Sequence, residues 1–224
     1  MKYSKILLFI IVAVFSVSAA FAGSVTYSDS ISLSQTNWNS SVSIPKFDSS
    51  LGILTSIEFY LYGYVSGIAQ FESLDASPAT VTTNLSAMLK LTRPDNSTLV
   101  VSLPIASTTD NVTAYDGITD FNGTSGKTYS NLSANDTESF VSTLASDFAL
   151  FTGTGNIVLP INALGTSSGS GAGNLLLQFN TFASADVIVK YNYDTPVIPE
   201  PASLVALLSG IAGIGGISLK RKLI

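Results

Sequence analysis

Apolar and polar residues alternate along most of the chain. The alternation has a period of two, which places apolar side chains on one face of a strand and polar side chains on the other. The stretches predicted as strands are residues 24–34, 38–44, 53–65, 81–92, 97–103, 157–164 and 175–193, and residues 68–74 could continue the sheet of the third. About eight to ten strands separated by short turns predict an all-β fold, an antiparallel β-sandwich.

Three stretches depart from this pattern. Residues 53–65 are densely apolar and aromatic, which is typical of a central strand with both faces covered. Residues 106–136 are rich in Thr, Asp, Asn, Gly and Ser and predict a long irregular segment. In residues 140–151 four large apolar side chains fall at helical spacing, which predicts the single short helix.

The first 22 residues have the order of a secretory signal peptide. Lys2 and Lys5 form a basic start, residues 6–17 form an apolar core, and Ala20 and Ala22 form an A-x-A cleavage site for signal peptidase. We therefore exclude residues 1–22 from the fold and expect the remainder to be exported across the inner membrane.

Residues 196–224 have the order of a membrane-inserted tail. Residues 202–219 carry no charge, and as a helix rising about 1.5 Å per residue they would span about 27 Å, enough to cross a hydrocarbon core. The basic end formed by Lys220, Arg221 and Lys222 is expensive to move through a bilayer and should stay in the cytoplasm. The domain between the two ends, residues 23–195, is then expected outside.

A Pro-Glu-Pro motif, Pro199, Glu200 and Pro201, stands directly before this transmembrane helix. Proline lacks a backbone N–H group, so the motif should form an extended, accessible strip. The order of Pro-Glu-Pro, hydrophobic helix and short basic end resembles the PEP-CTERM sorting signal. That resemblance implies that an exosortase, a membrane-embedded cysteine transpeptidase, cuts near the motif and passes the protein toward the cell surface. An ordinary membrane anchor is the alternative.

Charge and composition narrow the function of the middle domain. Residues 23–195 contain 5 of the 10 basic residues and 14 of the 15 acidic residues, a net charge of −9. A basic surface for nucleic acid is therefore absent. The chain has no histidine and no cysteine, which excludes Ser-His-Asp and Cys-His catalysis and zinc sites with His or Cys ligands.

The middle domain also resembles a family. The order of its signatures is similar to the choice-of-anchor E domain, a group of exported domains found with alternative surface anchors. The residues that carry the resemblance are Asn37-Trp38, Pro45-Lys46-Phe47-Asp48 with Leu51-Gly52 and Leu54, residues 72–79, Asp116-Gly117 with Asp120-Phe121, Gly123 and Ser125-Gly126, and residues 151–155. The resemblance implies an exported β-domain without an established activity.

One loop carries a candidate metal site. Asp116, Asp120 and Asn122 place three oxygen-bearing side chains close together in a Gly-rich stretch, and calcium accepts such ligands. The spacing is not that of an EF-hand. The alternative is a pair of Asx turns, in which these side chains bind their own backbone. Three further carboxylates could complete a site: Asp75, Asp110 and Asp136.

Two further kinds of site remain open. Paired carboxylates could hydrolyse glycosides without any other catalytic group. The aromatic residues could form an exposed face for sugars, although alternating tyrosines also line sheet faces and interfaces. The aromatic candidates are Tyr60, Tyr62, Tyr64, Tyr191, Tyr193 and Trp38.

Together these features predict an exported, exosortase-processed protein of the cell surface or extracellular matrix. Its β-domain is expected to be structural or interacting rather than enzymatic, and to be associated with exopolysaccharide or biofilm. The expected partners are signal peptidase, exosortase, the membrane during sorting, and exopolysaccharide. A carbohydrate-binding module and a carboxylate-only glycoside hydrolase are the two alternatives.

Overall fold

Ten β-strands make up nearly all of the regular structure of residues 22–196, in agreement with the all-β fold that the sequence predicts. The structure, a computed structural model, describes residues 22–196. The strands are β1 (Ala22–Gln35), β2 (Trp38–Pro45), β3 (Ile53–Ser73), β4 (Ala79–Thr92), β5 (Thr98–Ser102), β6 (Ile105–Val112), β7 (Gly126–Ser142), β8 (Asn156–Gly165), β9 (Ser168–Ser170) and β10 (Leu175–Asp194). One α-helix, α1 (Ala145–Phe151), and one 3₁₀ turn (Ser49–Leu51) complete the regular elements of residues 22–196.

The strands form two antiparallel sheets. The first sheet has the order β1-β10-β3-β7, and the second has the order β2-β8-β4-β5, with β6 and β9 pairing along the other half of β4. The chain is therefore all-β, with a β-sandwich-like arrangement of two sheets. Residues 22–194 form one compact unit.

The core lies between the inner faces of the two sheets. Alternate residues of β3 and β10, such as Phe59, Leu61 and Val187, are fully buried against residues of the second sheet, such as Leu89 and Leu159. Each strand therefore has one apolar face inward, because successive side chains of a strand point to opposite sides. Pairing between strands that are distant in sequence brings the core residues together. The chain contains no cysteine, so no disulfide contributes.

Two of the sequence predictions for polar and aromatic stretches are wrong in part. Only residues 113–125 of the predicted irregular segment lie outside strands, because β6 pairs with β4 and β7 pairs with β3. The predicted helix is confined to α1, and Phe140 lies on β7, where its ring stacks on Phe59 with centroids 6.2 Å apart. Neither β6 nor β7 has the buried apolar alternation that would have identified it.

The expectation for β3 is also corrected. β3 is central, as predicted, but only its inner face is covered. The apolar density of the sequence comes from tyrosines that point outward, and Tyr62 is 39% exposed. The strand also contains a bulge, because its pairing with β7 shifts register between Gly67 and Ala69.

Candidate functional site

Most of the predicted sorting and processing residues lie outside the described residues. These are Ala20, Pro199, Glu200, Pro201, the helix 202–219, and Lys220, Arg221 and Lys222. Ala22 is described: it is exposed and begins β1, where it pairs with Asp194, the last residue of β10. Over residues 22–196, no helix has the length and apolar character needed to cross a membrane.

The loop predicted to hold calcium joins β6 to β7 as residues 113–125. Asp116 Oδ1 accepts a hydrogen bond from the N–H of Ile118 at 3.0 Å, and Asp120 Oδ1 accepts one from the N–H of Asn122, also at 3.0 Å. These contacts are the Asx turns that the sequence offered as the alternative.

The other carboxylates considered as calcium ligands have partners elsewhere. Asp75 accepts from the amides of Gly173 and Asn174, Asp110 from Lys127 and Tyr129, and Asp136 from Ser102 and the amide of Leu103. Within residues 22–196, no three acidic side chains come together as a metal-binding group. Calcium binding at the loop stays a prediction.

The sequence interpretation missed Glu72, which fastens this loop to the fold. Glu72 is fully buried near the end of β3; its Oε1 accepts from Ser125 Oγ at 2.6 Å and its Oε2 accepts from the N–H of Phe121 at 2.8 Å. A Cβ at Gly126 would lie 2.3 Å from that Oε2, so a glycine is required there. The signal was a single carboxylate within the apolar end of a strand.

A second candidate site covers the outer face of the first sheet. Tyr60, Tyr62 and Tyr64 alternate along β3 with buried residues, so all three point away from the core. Successive tyrosines are separated by about 6.6 Å, because a strand rises about 3.3 Å per residue. The flanking strands contribute polar side chains to the same face: Ser28 and Ser30 on β1, Ser184 and Asp186 on β10, and Asn135, Thr137 and Ser139 on β7. We call these ten residues the tyrosine face.

The pairing register arranges the tyrosine face in rows across the sheet. Tyr62 lies opposite Asp186 on one side and Thr137 on the other. Tyr64 lies opposite Ser184 and Asn135 in the next row. An open depression of about 710 Å³ lies over Tyr62 and Tyr64. Each of these two tyrosines is therefore bordered by hydrogen-bonding groups on both sides.

A polar network at one end of this face holds Tyr60. The Tyr60 hydroxyl donates to Glu58, which also accepts from Asn192 Nδ2 at 2.6 Å and from Lys190 Nζ at 3.2 Å. The hydrogen bond from Tyr60 is the main reason that the pKa of Glu58 lies below its ordinary value, and the same bond raises the pKa of Tyr60. Lys190 balances Glu58 in charge.

Asp186 has no such balance. It is exposed, and its carboxylate has no hydrogen-bond or ion-pair partner within residues 22–196. The other carboxylate beside the depression is Asp29, whose oxygens accept from the amides of Ser30 and Ser43, each at 2.8 Å. Asp186 is therefore the carboxylate of this face that is open to a ligand.

The remaining aromatic candidates are not on this face. Tyr191 is fully buried, and its hydroxyl donates to the carbonyl of Pro45 at 3.0 Å; burial raises the pKa of Tyr191. Tyr193 is half-buried against Phe47, with ring centroids 5.3 Å apart. The half-buried Trp38 donates from Nε1 to the carbonyl of Ala183 at 3.4 Å. Of the six predicted aromatic residues, three therefore lie on the tyrosine face and three do not.

The fold defines an all-β protein with two antiparallel sheets. No protein-family model matches the sequence, and the search of curated proteins finds no match. Among solved structures, the VP2 subviral particle of infectious bursal disease virus aligns at 15% identity and a TM-score of 0.20, over 82% of this chain and 43% of that one. A structure of the Gx strain of the same virus aligns at 13% identity and a TM-score of 0.16, over 82% of this chain and 42% of that one. The chain spans less than half the length of these two proteins, and TM-scores this low do not establish a common fold.

Proposed function

We propose that the protein is an exported cell-surface or extracellular-matrix protein, released toward the surface by an exosortase that cuts near Pro199-Glu200-Pro201. On this proposal residues 1–22 are removed by signal peptidase, and the β-domain is a structural or interacting module without catalysis. The resemblance of the tail to the PEP-CTERM signal is the reason for proposing this localisation.

One structural observation supports this proposal more than any other. The compact unit runs from Ala22 to Asp194, which are paired neighbours in the first sheet, so the two ends of the domain lie side by side. Asp194 precedes Pro199 by five positions. Both proposed cuts therefore lie within about five positions along the chain of these paired ends, and neither removes a strand of the described domain.

Intact-mass measurement tests the sorting proposal. The full chain is expressed in a bacterium that has an exosortase, and the exported fraction is compared with the cell fraction. The exported protein is expected to begin near Gly23 and to lack the residues after the Pro-Glu-Pro motif. Replacing Pro199, Glu200 and Pro201 with Ala should leave the tail attached.

A matched control is the Pro196→Ala variant, which changes a proline outside the motif and should be processed normally. Export with the tail retained in the unaltered protein would support the alternative of an ordinary membrane anchor. Retention of the whole chain in the cytosol would overturn the proposal.

A second candidate function is carbohydrate binding. The observation that favours it is the outward row of Tyr60, Tyr62 and Tyr64, because aromatic faces bordered by polar groups suit the faces and hydroxyls of sugar rings. A carboxylate-only glycoside hydrolase has no comparable observation in its favour: Asp29 and Asp186 border the same depression, but both Asp29 oxygens are held by backbone amides.

A further inference from the structure

We propose that the tyrosine face binds an uncharged polysaccharide whose chain runs along β3, with successive sugar rings over Tyr60, Tyr62 and Tyr64. The inference rests on the second candidate function. It adds the surface that binds, the direction of the bound chain along β3, and the class of polysaccharide. It does not depend on how the tail is processed.

The first argument is the contrast between the two polar sheet faces. On the outer face of β4 and its neighbours, the polar side chains bond to one another: Thr80 to Asn111 at 2.8 Å, Ser107 to Asn84 at 2.7 Å, and Thr82 to Thr109 at 3.3 Å. Where β6 pairs with β4, these polar side chains therefore satisfy one another's hydrogen bonds.

The polar side chains of the tyrosine face form no such hydrogen bonds with one another. Over residues 22–196, the side chains of Ser28, Ser30, Asn135, Thr137, Ser139, Ser184 and Asp186 have no hydrogen-bond partner, and neither have the hydroxyls of Tyr62 and Tyr64. Two rows of open donors and acceptors therefore border a row of aromatic rings. Sugar rings offer an apolar C–H face for aromatic stacking and hydroxyls around the edge for hydrogen bonds.

Charge selects the kind of polymer. Asp186 is unpaired, and Lys190, the cation nearest to the row in the pairing register, is bonded to Glu58 at 3.2 Å. The domain carries a net charge of −9. A nucleic acid or an acidic polysaccharide would bring negative charge to a surface that is already negative, whereas Asp186 can accept hydrogen bonds from the hydroxyls of a neutral sugar.

Charge also argues against a second copy of the chain as the occupant. In a symmetric pairing of two tyrosine faces, the same patch meets itself. Two Asp186 carboxylates would then be covered without a cation to balance them, since Lys190 is already engaged. A neutral polymer covers Asp186 with hydroxyl donors instead.

Affinity electrophoresis tests the proposal. The full chain, held in a polyoxyethylene detergent that carries no sugar, is run through gels that contain hydroxyethylcellulose, xyloglucan, galactomannan or dextran, with alginate as the acidic comparison. Retardation is expected in at least one uncharged gel and not in alginate. The double variant Tyr62→Ala/Tyr64→Ala should bind about tenfold more weakly or worse, and Tyr62→Phe/Tyr64→Phe should retain most of the binding because the rings remain.

The control variant is Tyr115→Ala, which removes a tyrosine from the loop of residues 113–125 and should bind as the unaltered chain does. Thermal unfolding checks that all variants are folded. Equal binding by the Tyr62→Ala/Tyr64→Ala variant would overturn the assignment of the face, while leaving carbohydrate binding in place. Failure to bind any uncharged polymer would overturn both. A dimer in sedimentation analysis that the same variant dissociates would overturn the assignment of the face to a polysaccharide.

Discussion

At the scale of single residues, Arg93 and Asp147 form the best enclosed ion pair of residues 22–196. Arg93 Nε lies 2.7 Å from Asp147 Oδ1, and a second guanidinium nitrogen lies 2.9 Å from Oδ2. The two side chains are 14% and 2% exposed. The pair joins the turn between β4 and β5 to helix α1, so it fixes the helix to the second sheet.

Removing Arg93 should cost much more than removing an exposed partner elsewhere. Arg93→Ala leaves the Asp147 carboxylate buried and unpaired, so we expect a loss of about 3–5 kcal/mol in the free energy of unfolding. In the control, Lys127→Ala, the lysine is 47% exposed and its pair with Asp110 is screened by water, so the loss should stay below about 1 kcal/mol. Denaturant unfolding measures both, and equal losses would contradict this interpretation.

The same pair sets a pH dependence with a definite sign. Hydrogen bonding from Arg93 holds the pKa of Asp147 below its ordinary value. A carboxyl with a lowered pKa contributes stability that is complete above the unfolded pKa, about 4, and is lost as the pH falls through the folded pKa. The stability difference between the unaltered chain and Asp147→Asn should therefore be largest near neutral pH and shrink below about pH 4. A difference that grew on acidification would contradict it.

At the scale of elements, β3 needs a glycine at position 67 because β10 approaches it closely there. A Cβ at Gly67 would lie 2.0 Å from the carbonyl oxygen of Asn180 in the neighbouring strand β10. Backbone of a central strand pair cannot move aside without breaking its hydrogen bonds. We expect Gly67→Ala to destabilise the domain by about 2 kcal/mol or more.

A second glycine gives the matched control. Gly155 also has positive φ, +80°, but a Cβ there meets nothing within 4 Å. Gly155→Ala should therefore cost only the backbone strain, about 1 kcal/mol. Urea unfolding of both variants measures the comparison, and a larger loss for Gly155→Ala would show that close approach is not the controlling factor.

Elements with buried alternation were predictable, and elements without it were not. β10 follows from its alternating apolar residues, and the first half of β3 follows from its dense apolar and aromatic residues. β6 buries only Val112, so its polar sequence resembled a loop until its pairing with β4 was known. The spacing of Phe140 from three later apolar side chains predicted a helix. Its stacking on Phe59, which lies in another strand, leaves no local pattern that would have shown otherwise.

The sequence predicted an aromatic site, but it did not predict which residues belong to it. The alternation of Tyr60, Tyr62 and Tyr64 places them on one side of a strand, and the sequence establishes that much. Which side faces the core depends on the neighbouring strands, and so does the separation of Tyr191, which is fully buried, from this row. Asp186 enters the site through a register between β3 and β10, strands more than a hundred positions apart.

At the scale of the whole molecule, the order of synthesis and the order of the strands conflict. β10 is the last strand of residues 22–196, yet it lies between β1 and β3 in the first sheet. β1 is the first strand of that range, and its neighbour in the sheet is β10. The first sheet can therefore close only after residue 194 has been made and, on the proposed function, exported.

Truncation tests this dependence. A chain that ends at Asn174 lacks β10. β1 then loses its pairing partner in the sheet, and β3 loses one of its two. We expect this chain to lack a cooperative thermal transition and to be cut rapidly by protease, because a missing central strand exposes the core of both sheets. A chain that ends at Pro196 retains every described strand and should unfold cooperatively. Cooperative unfolding of the shorter chain, followed by circular dichroism, would show that the second sheet folds without the first and that the late arrival of β10 does not control assembly.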